Sequence, residues 1–155
     1  MNKNDMTETL IKPFERIANL YSQLEKTTDN YGTDTPLYPS EIHAIAEIND
    51  HPKVNLTDLA QHLGVTKGTA TKIVQKLVKK NMVYKQFAPN SENEIEILLT
   101  TQGRVAAENH QEYVEYMDRQ LLSMYKDVPD DALKYFISVS KKTEEFLNQL
   151  IKRRQ

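Results

Sequence analysis

Thr66, Lys67, Gly68, Thr69, Thr71, Lys72, Gln75, Lys76 and Lys79 share one side of a stretch whose apolar spacing makes it a helix. These residue types suit contact with nucleic acid. A glutamine can bond adenine through two atoms, and a lysine favours guanine or phosphate. Gly68 would let the backbone approach a ligand closely, and a helix N-terminus attracts phosphate. The other side carries Ala70, Ile73, Val74 and Leu77 at i, i+3, i+4 and i+7, so it should pack inward.

That helix is the second of a pair. Asn55 can cap a first helix, with Asp58 three residues on at a favourable acidic position, and Leu56, Leu59, Ala60 and Leu63 on one face. Gly64 supplies a left-handed residue to end it, and Thr66 caps the next helix. The result is a helix-turn-helix whose second helix meets the major groove. Between Asn55 and Ala88 there are six lysines and one acid, Asp58; this segment is +5 in a chain of net charge −2, which leaves −7 elsewhere. Charge separated in this way is the footprint of a phosphate-binding face, with Lys79, Lys80 and Lys85 adding affinity.

The 155 residues suffice for one domain with a proper core, and 39% of them are hydrophobic. No apolar run reaches membrane length and no signal pattern opens the chain, so a cytoplasmic location without membrane contact is expected. The lack of cysteine excludes disulfides and thiol chemistry. No phosphate-cradling glycine loop and no triad spacing occurs, so neither an enzyme nor a cofactor is expected.

The remaining elements frame the helix-turn-helix. From about Thr7 to Lys26, Leu10, Phe14, Ile17, Tyr21 and Leu24 follow a helical seam, which Pro13 should start or kink. A polar loop, 27–37, leads to a helix opened by Pro39, Ser40 and Glu41, with Ile42, Ile45, Ala46 and Ile48 apolar. Lys53 and Val54 suit a short strand. After Lys80, Asn81 should cap, and 82–87 and 94–99 alternate as two strands around a polar turn, with Ile95, Ile97 and Leu99 on one side. Two strands after a recognition helix make a wing.

Thr100 and Thr101 can cap a long helix to about Tyr125, with Val105, Ala106, Asn109, Tyr113, Met117, Gln120, Leu121 and Met124 on its buried side. Pro129, Asp130 and Asp131 mark the first turn of a last helix, with a seam at Ala132, Phe136, Val139, Thr143, Phe146 and Leu150. A winged helix is too small to cover all these faces, which predicts a homodimer through Phe14, Ile17, Phe136, Phe146 and Leu150. The fold class expected is mainly α with a small β wing. Residues 1–155 form one domain: a winged helix-turn-helix over about 38–101, flanked by dimerisation helices at about 7–26 and 102–152.

This order of parts resembles the MarR family of bacterial and archaeal regulators over nearly the whole chain. The resemblance is carried by the runs Asn55–Lys67, Ala70–Lys72 leading to Leu77, and Ile97–Gly103, and in one branch of the family by Tyr38–His43. It implies a homodimer that binds pseudo-palindromic double-stranded DNA, usually as a repressor released by a ligand. Family wings usually carry an Asp-x-Arg motif. Here the stretch is Asn90-Ser91-Glu92-Asn93-Glu94, and no basic residue lies between Gln86 and Gly103, so the wing should contribute less to binding.

Two further sites are expected. Tyr21, Tyr38, His43, His110 and Tyr113 interrupt faces that should be apolar, which suits an effector pocket for a small aromatic molecule. Some relatives bind zinc through Glu and His on the second and long helices, which here offer Glu41, His43, Glu108, His110 and Glu112. Glu41 and His43 lie about 200° apart around a helix, against a shared ion. A third reading keeps the dimer as a protein-binding module that has lost its DNA site.

Overall fold

The computed structural model describes residues 3–154; the side chain of Leu10, first in the N-terminal seam, lies outside the described residues. The chain forms two compact units, Met1–Val114 and Glu115–Gln155. The first contains α1 (Lys3–Leu24), α2 (Pro39–Asp50), α3 (Leu56–His62), α4 (Lys67–Lys79), β1 (Val83–Phe87), β2 (Ile95–Leu99) and the start of α5 (Thr101–Tyr125). The second contains the rest of α5 and α6 (Asp130–Arg153). No helix of the described residues is long and apolar enough to cross a membrane. The expected mainly α fold with a two-stranded wing is what forms.

The core of the first unit packs Ile42, Ile45 and Ile48 of α2 against Leu59 of α3, Val74 and Leu77 of α4, and Ile97 and Leu99 of β2. Each helix takes its position from the apolar stripe read above. On α2, however, Ala44 is buried where Ala46 was expected, and Glu41 joins it in the interior. The strands pair antiparallel, Val83 with Leu99 through Phe87 with Ile95. Val54 adds a single bridge to Ile97, so the expected short strand reduces to one residue.

Several expectations need correction. The first helix starts at Lys3 and runs through Pro13, because a long helix can lose one backbone hydrogen bond without ending there. It ends at Leu24, two residues short of Lys26. The cap after α4 is Lys80, and Asn81 takes the left-handed conformation just beyond it, φ +56°. Ile95 is exposed at the strand end, while Glu96 is buried and accepts a bond from the Gln86 side chain. On α5 the buried residues are Gly103, Ala106 and Ala107; Tyr113, Met117, Leu121 and Met124 are exposed. No residue of α6 is buried in the single chain.

One junction fixes where the wing meets α5. Thr100 donates its backbone N–H to the Met82 carbonyl (3.0 Å) and its hydroxyl to the carbonyl of Asn81 (2.7 Å). The same hydroxyl oxygen accepts the Gly103 N–H at 3.0 Å, capping the helix. The end of β2 and the start of α5 are thereby tied to the turn behind the recognition helix.

Candidate nucleic-acid interface

Helix α4 is held from within and presented from without. The Thr66 hydroxyl accepts the Thr69 N–H at 3.2 Å, giving the expected cap, and Gly64 adopts φ +64° in the preceding turn. Ala70, Val74 and Leu77 are fully buried, and Ile73 packs against the core. Lys67, Gly68, Thr69, Lys72, Gln75, Lys76 and Lys79 are exposed, as is Thr66. Thr71 is only half exposed, and its hydroxyl donates to the Lys67 carbonyl at 2.8 Å, leaving oxygen lone pairs to offer.

Among the described residues, none of the salt bridges involves Lys67, Lys72, Lys76 or Lys79. Their ammonium groups stand in solvent on one helix, with the N-terminal positive end of that helix beside them. An open groove of about 670 Å³, lined by Gln75, Val78, Lys79, Tyr84 and Lys85, separates this face from the wing strand. At the wing tip, the Ser91 hydroxyl accepts the N–H groups of Asn93 and Glu94, which orders a turn without basic residues.

Lys80 differs from its neighbours. Its Nζ lies 2.6 Å from Glu41 Oε2 and 2.8 Å from the Pro36 carbonyl, and 5.5 Å above the Tyr38 ring. Glu41 is 2% exposed, its Oε2 also accepts the Tyr38 N–H, and its Oε1 has no partner. Lys80 therefore stands apart from the solvent-facing lysines of α4, contrary to expectation. Sequence spacing could not pair residues 39 positions apart.

The expected effector residues separate into two groups. The His43 and His110 rings meet edge to face at 5.7 Å. Tyr31, which sequence reasoning passed over in the polar loop, sits 5.7 Å from His110 and 6.4 Å from Tyr113. Its only sequence signal was its place before Gly32 in a turn, where both residues have positive φ. Tyr38 is instead half exposed against Lys80, and Tyr21 lies on an exposed face of α1. The zinc set does not assemble either. Glu41 is engaged by Lys80, Glu108 and Glu112 are exposed on α5, and the five offer no close group of ligand atoms among the described residues.

Burial, and secondarily the nearby His43, pushes His110 below the usual imidazole value. Burial, then the Asp29 carboxylate, raises the Tyr31 phenol. For His110 the unfolded chain takes up the proton first, so its contribution to stability is complete above about pH 6.5 and is lost as pH falls through the lower folded value. Melting temperature should fall between about pH 7 and 5, and His110→Gln should flatten that fall. Parallel slopes in thermal melts of both proteins would contradict this.

Residues 37–95 match the family model described as MarR family. The HTH-type transcriptional regulator YhjH of Bacillus subtilis is 23% identical over 133 residues, covering 86% of this chain and 73% of that protein. The zinc-responsive MarR family member ZitR of Lactococcus lactis superposes with a TM-score of 0.74 at 17% identity, covering 91% of this chain and 99% of that one. FabT of Streptococcus pneumoniae, solved in complex with DNA, gives 0.63 at 19% identity over 96% and 99%. The two solved structures share the fold just described. The segment that carries the recognition helix and the first strand of the wing, residues 37–95, is thus a MarR family match, in a chain similar to HTH-type transcriptional regulators.

Proposed function

We propose that this protein binds double-stranded DNA sequence-specifically as a homodimer and acts as a ligand-released repressor. The observation that carries the DNA reading is the exposed, unpaired set Lys67, Lys72, Gln75, Lys76 and Lys79 on a helix whose opposite side is locked in the core. Thr66, Gly68, Thr69 and Thr71 complete the contact face, the two hydroxyls nearest the helix start lying beside its free N–H groups. The DNA complex of FabT supports a MarR-type fold in this role. The winged helix over about 38–101 reads DNA, and the helices at about 7–26 and 102–152 dimerise.

Dimerisation is supported by apolar side chains that the single chain leaves exposed, among them Ile17 on α1, Leu121 on α5, and Phe136 and Phe146 on α6. Two recognition helices would then meet half-sites about 34–36 Å apart. The effector reading narrows to the aromatic group of His43, His110 and Tyr113, joined by Tyr31, with a small aromatic molecule as the ligand.

Polarisation titrations on the DNA upstream of its own gene test the function, with sedimentation of the same sample reporting the dimer. Gln75→Ala should relax discrimination at one base pair by about 1–3 kcal/mol. Lys72→Ala should weaken binding and reduce the salt slope by about 0.9 for one lost phosphate contact. Wild-type binding by both variants would remove the assignment of α4. A folded monomer at the concentrations that bind DNA would remove the dimer.

A further inference from the structure

We propose that Glu47, His51 and His62 form a binding site for a borderline divalent cation of the zinc class, one that clamps the end of α2 to the end of α3. This site is separate from the DNA-reading face and does not depend on it. Glu47 lies in the last turn of α2 and His51, four residues on, is the C-cap that donates its backbone N–H to the Glu47 carbonyl. His62 is the last residue of α3. Glu47 Oε2 lies 3.6 Å from His51 Nε2 and 3.7 Å from His62 Nδ1. One ligand atom from each of the three residues comes within 4.8 Å of the others.

These separations are too long for hydrogen bonds, whose N···O distance is about 2.7–3.2 Å. The three atoms therefore surround a common point without bonding one another. A tetrahedral ion with bonds of about 2.0–2.1 Å would hold its ligand atoms roughly 3.3 Å apart. The two Glu47 pairs need to close by only a few tenths of an ångström, roughly, and the two imidazoles by at most about 1.5 Å, shifts within reach of side-chain rotation. The two imidazole rings lie side by side, their centroids 4.1 Å apart and their planes tilted by 46°.

The donor set is two imidazoles and one carboxylate. Zinc accepts that combination, with water in the fourth position. All three side chains are a third to a half exposed, which leaves an entry path and room for the water. One carboxylate against a divalent charge leaves a net positive site, which a neighbouring water can relieve by releasing a proton. Bound there, the ion would tie α3, the first helix of the helix-turn-helix, to α2 across the turn at 51–55, where Lys53 adopts φ +67°. Metal occupancy would thus stiffen the support on which α4 stands.

Cobalt(II), a coloured stand-in for zinc, provides the direct probe. Titration of the chelator-treated full chain should give one tetrahedral visible absorption band per chain, displaced by zinc, and zinc should raise the melting temperature. His51→Gln and His62→Gln should each weaken cobalt binding by at least about tenfold, since even outer-shell partners of metal ligands are worth that much. Each variant is first melted without metal, and the one that matches the metal-free wild type decides the result. His51, at the exposed end of α2, is the safer of the two. A wild type that shows neither the cobalt band nor a zinc-dependent melting shift overturns the site. So does a His51→Gln protein that binds cobalt as tightly as wild type, or a band that disappears with His110→Gln and survives both other changes.

Discussion

Alanine in place of Gly103 is expected to lower the melting temperature by on the order of 10 °C. A β-carbon there would fall inside the van der Waals envelope of the Met82 carbonyl oxygen, 3.1 Å from its carbon and 3.3 Å from Leu99 Cδ2. The obstacle is backbone, which cannot rotate aside as a side chain would. Relief requires the start of α5 to move away from the turn behind α4, and with it the bonds from Thr100 to Asn81 and Met82. Overpacking in a core usually costs about 1–3 kcal/mol, and a backbone clash belongs at the upper end or beyond. Circular dichroism melts of the two proteins measure this. An unchanged midpoint would show that the helix start is free to shift.

Lys80→Met should be nearly as damaging, by about 3 kcal/mol. The substitution keeps the length of the side chain and removes the charge facing a carboxylate that is 2% exposed. Glu41 would keep only the Tyr38 N–H, with Oε1 already lacking a partner. Leaving a buried charge unpaired is more costly than removing both members of the pair. The double variant Glu41→Gln/Lys80→Met should therefore recover most of the loss in urea unfolding. It should also keep the wild-type salt dependence of DNA binding, because Lys80 faces inward. A salt slope reduced by about one contact would return Lys80 to the DNA.

The parts of the fold legible in the sequence are those governed by neighbours in the chain. Asn55 caps α3, Thr66 caps α4 and Gly64 turns left-handed between them, each for a reason local to a few residues. The alternation of Ile97 and Leu99 likewise follows from strand geometry and a one-sided core. What the sequence concealed depends on residues meeting across the fold. Glu41 reads as a helix-start acid, yet its partner comes from the far end of α4. Tyr31 reads as a loop residue, yet it joins His110 and Tyr113. His51 and His62 belong to different helices, so neither spacing nor periodicity links them. The apolar faces of α5 and α6 are legible as apolar, but a single chain does not cover them.

The tie between Thr100, Gly103 and the Met82 turn also bears on how such a sequence can drift. It allows no side chain at 103 and asks for a short hydroxyl residue at 100, and the atoms that impose this belong to Asn81, Met82 and Leu99 rather than to the exposed side chains of α4. The exposed Lys67, Lys72, Gln75, Lys76 and Lys79 of α4, and Glu92 at the wing tip, answer to no such demand. On the proposed function, descendants of this chain could therefore exchange Lys72 or Gln75 and so acquire a new target sequence, with the scaffold that aims them left intact. Divergence in what is read is separated from divergence in what holds the reader in place.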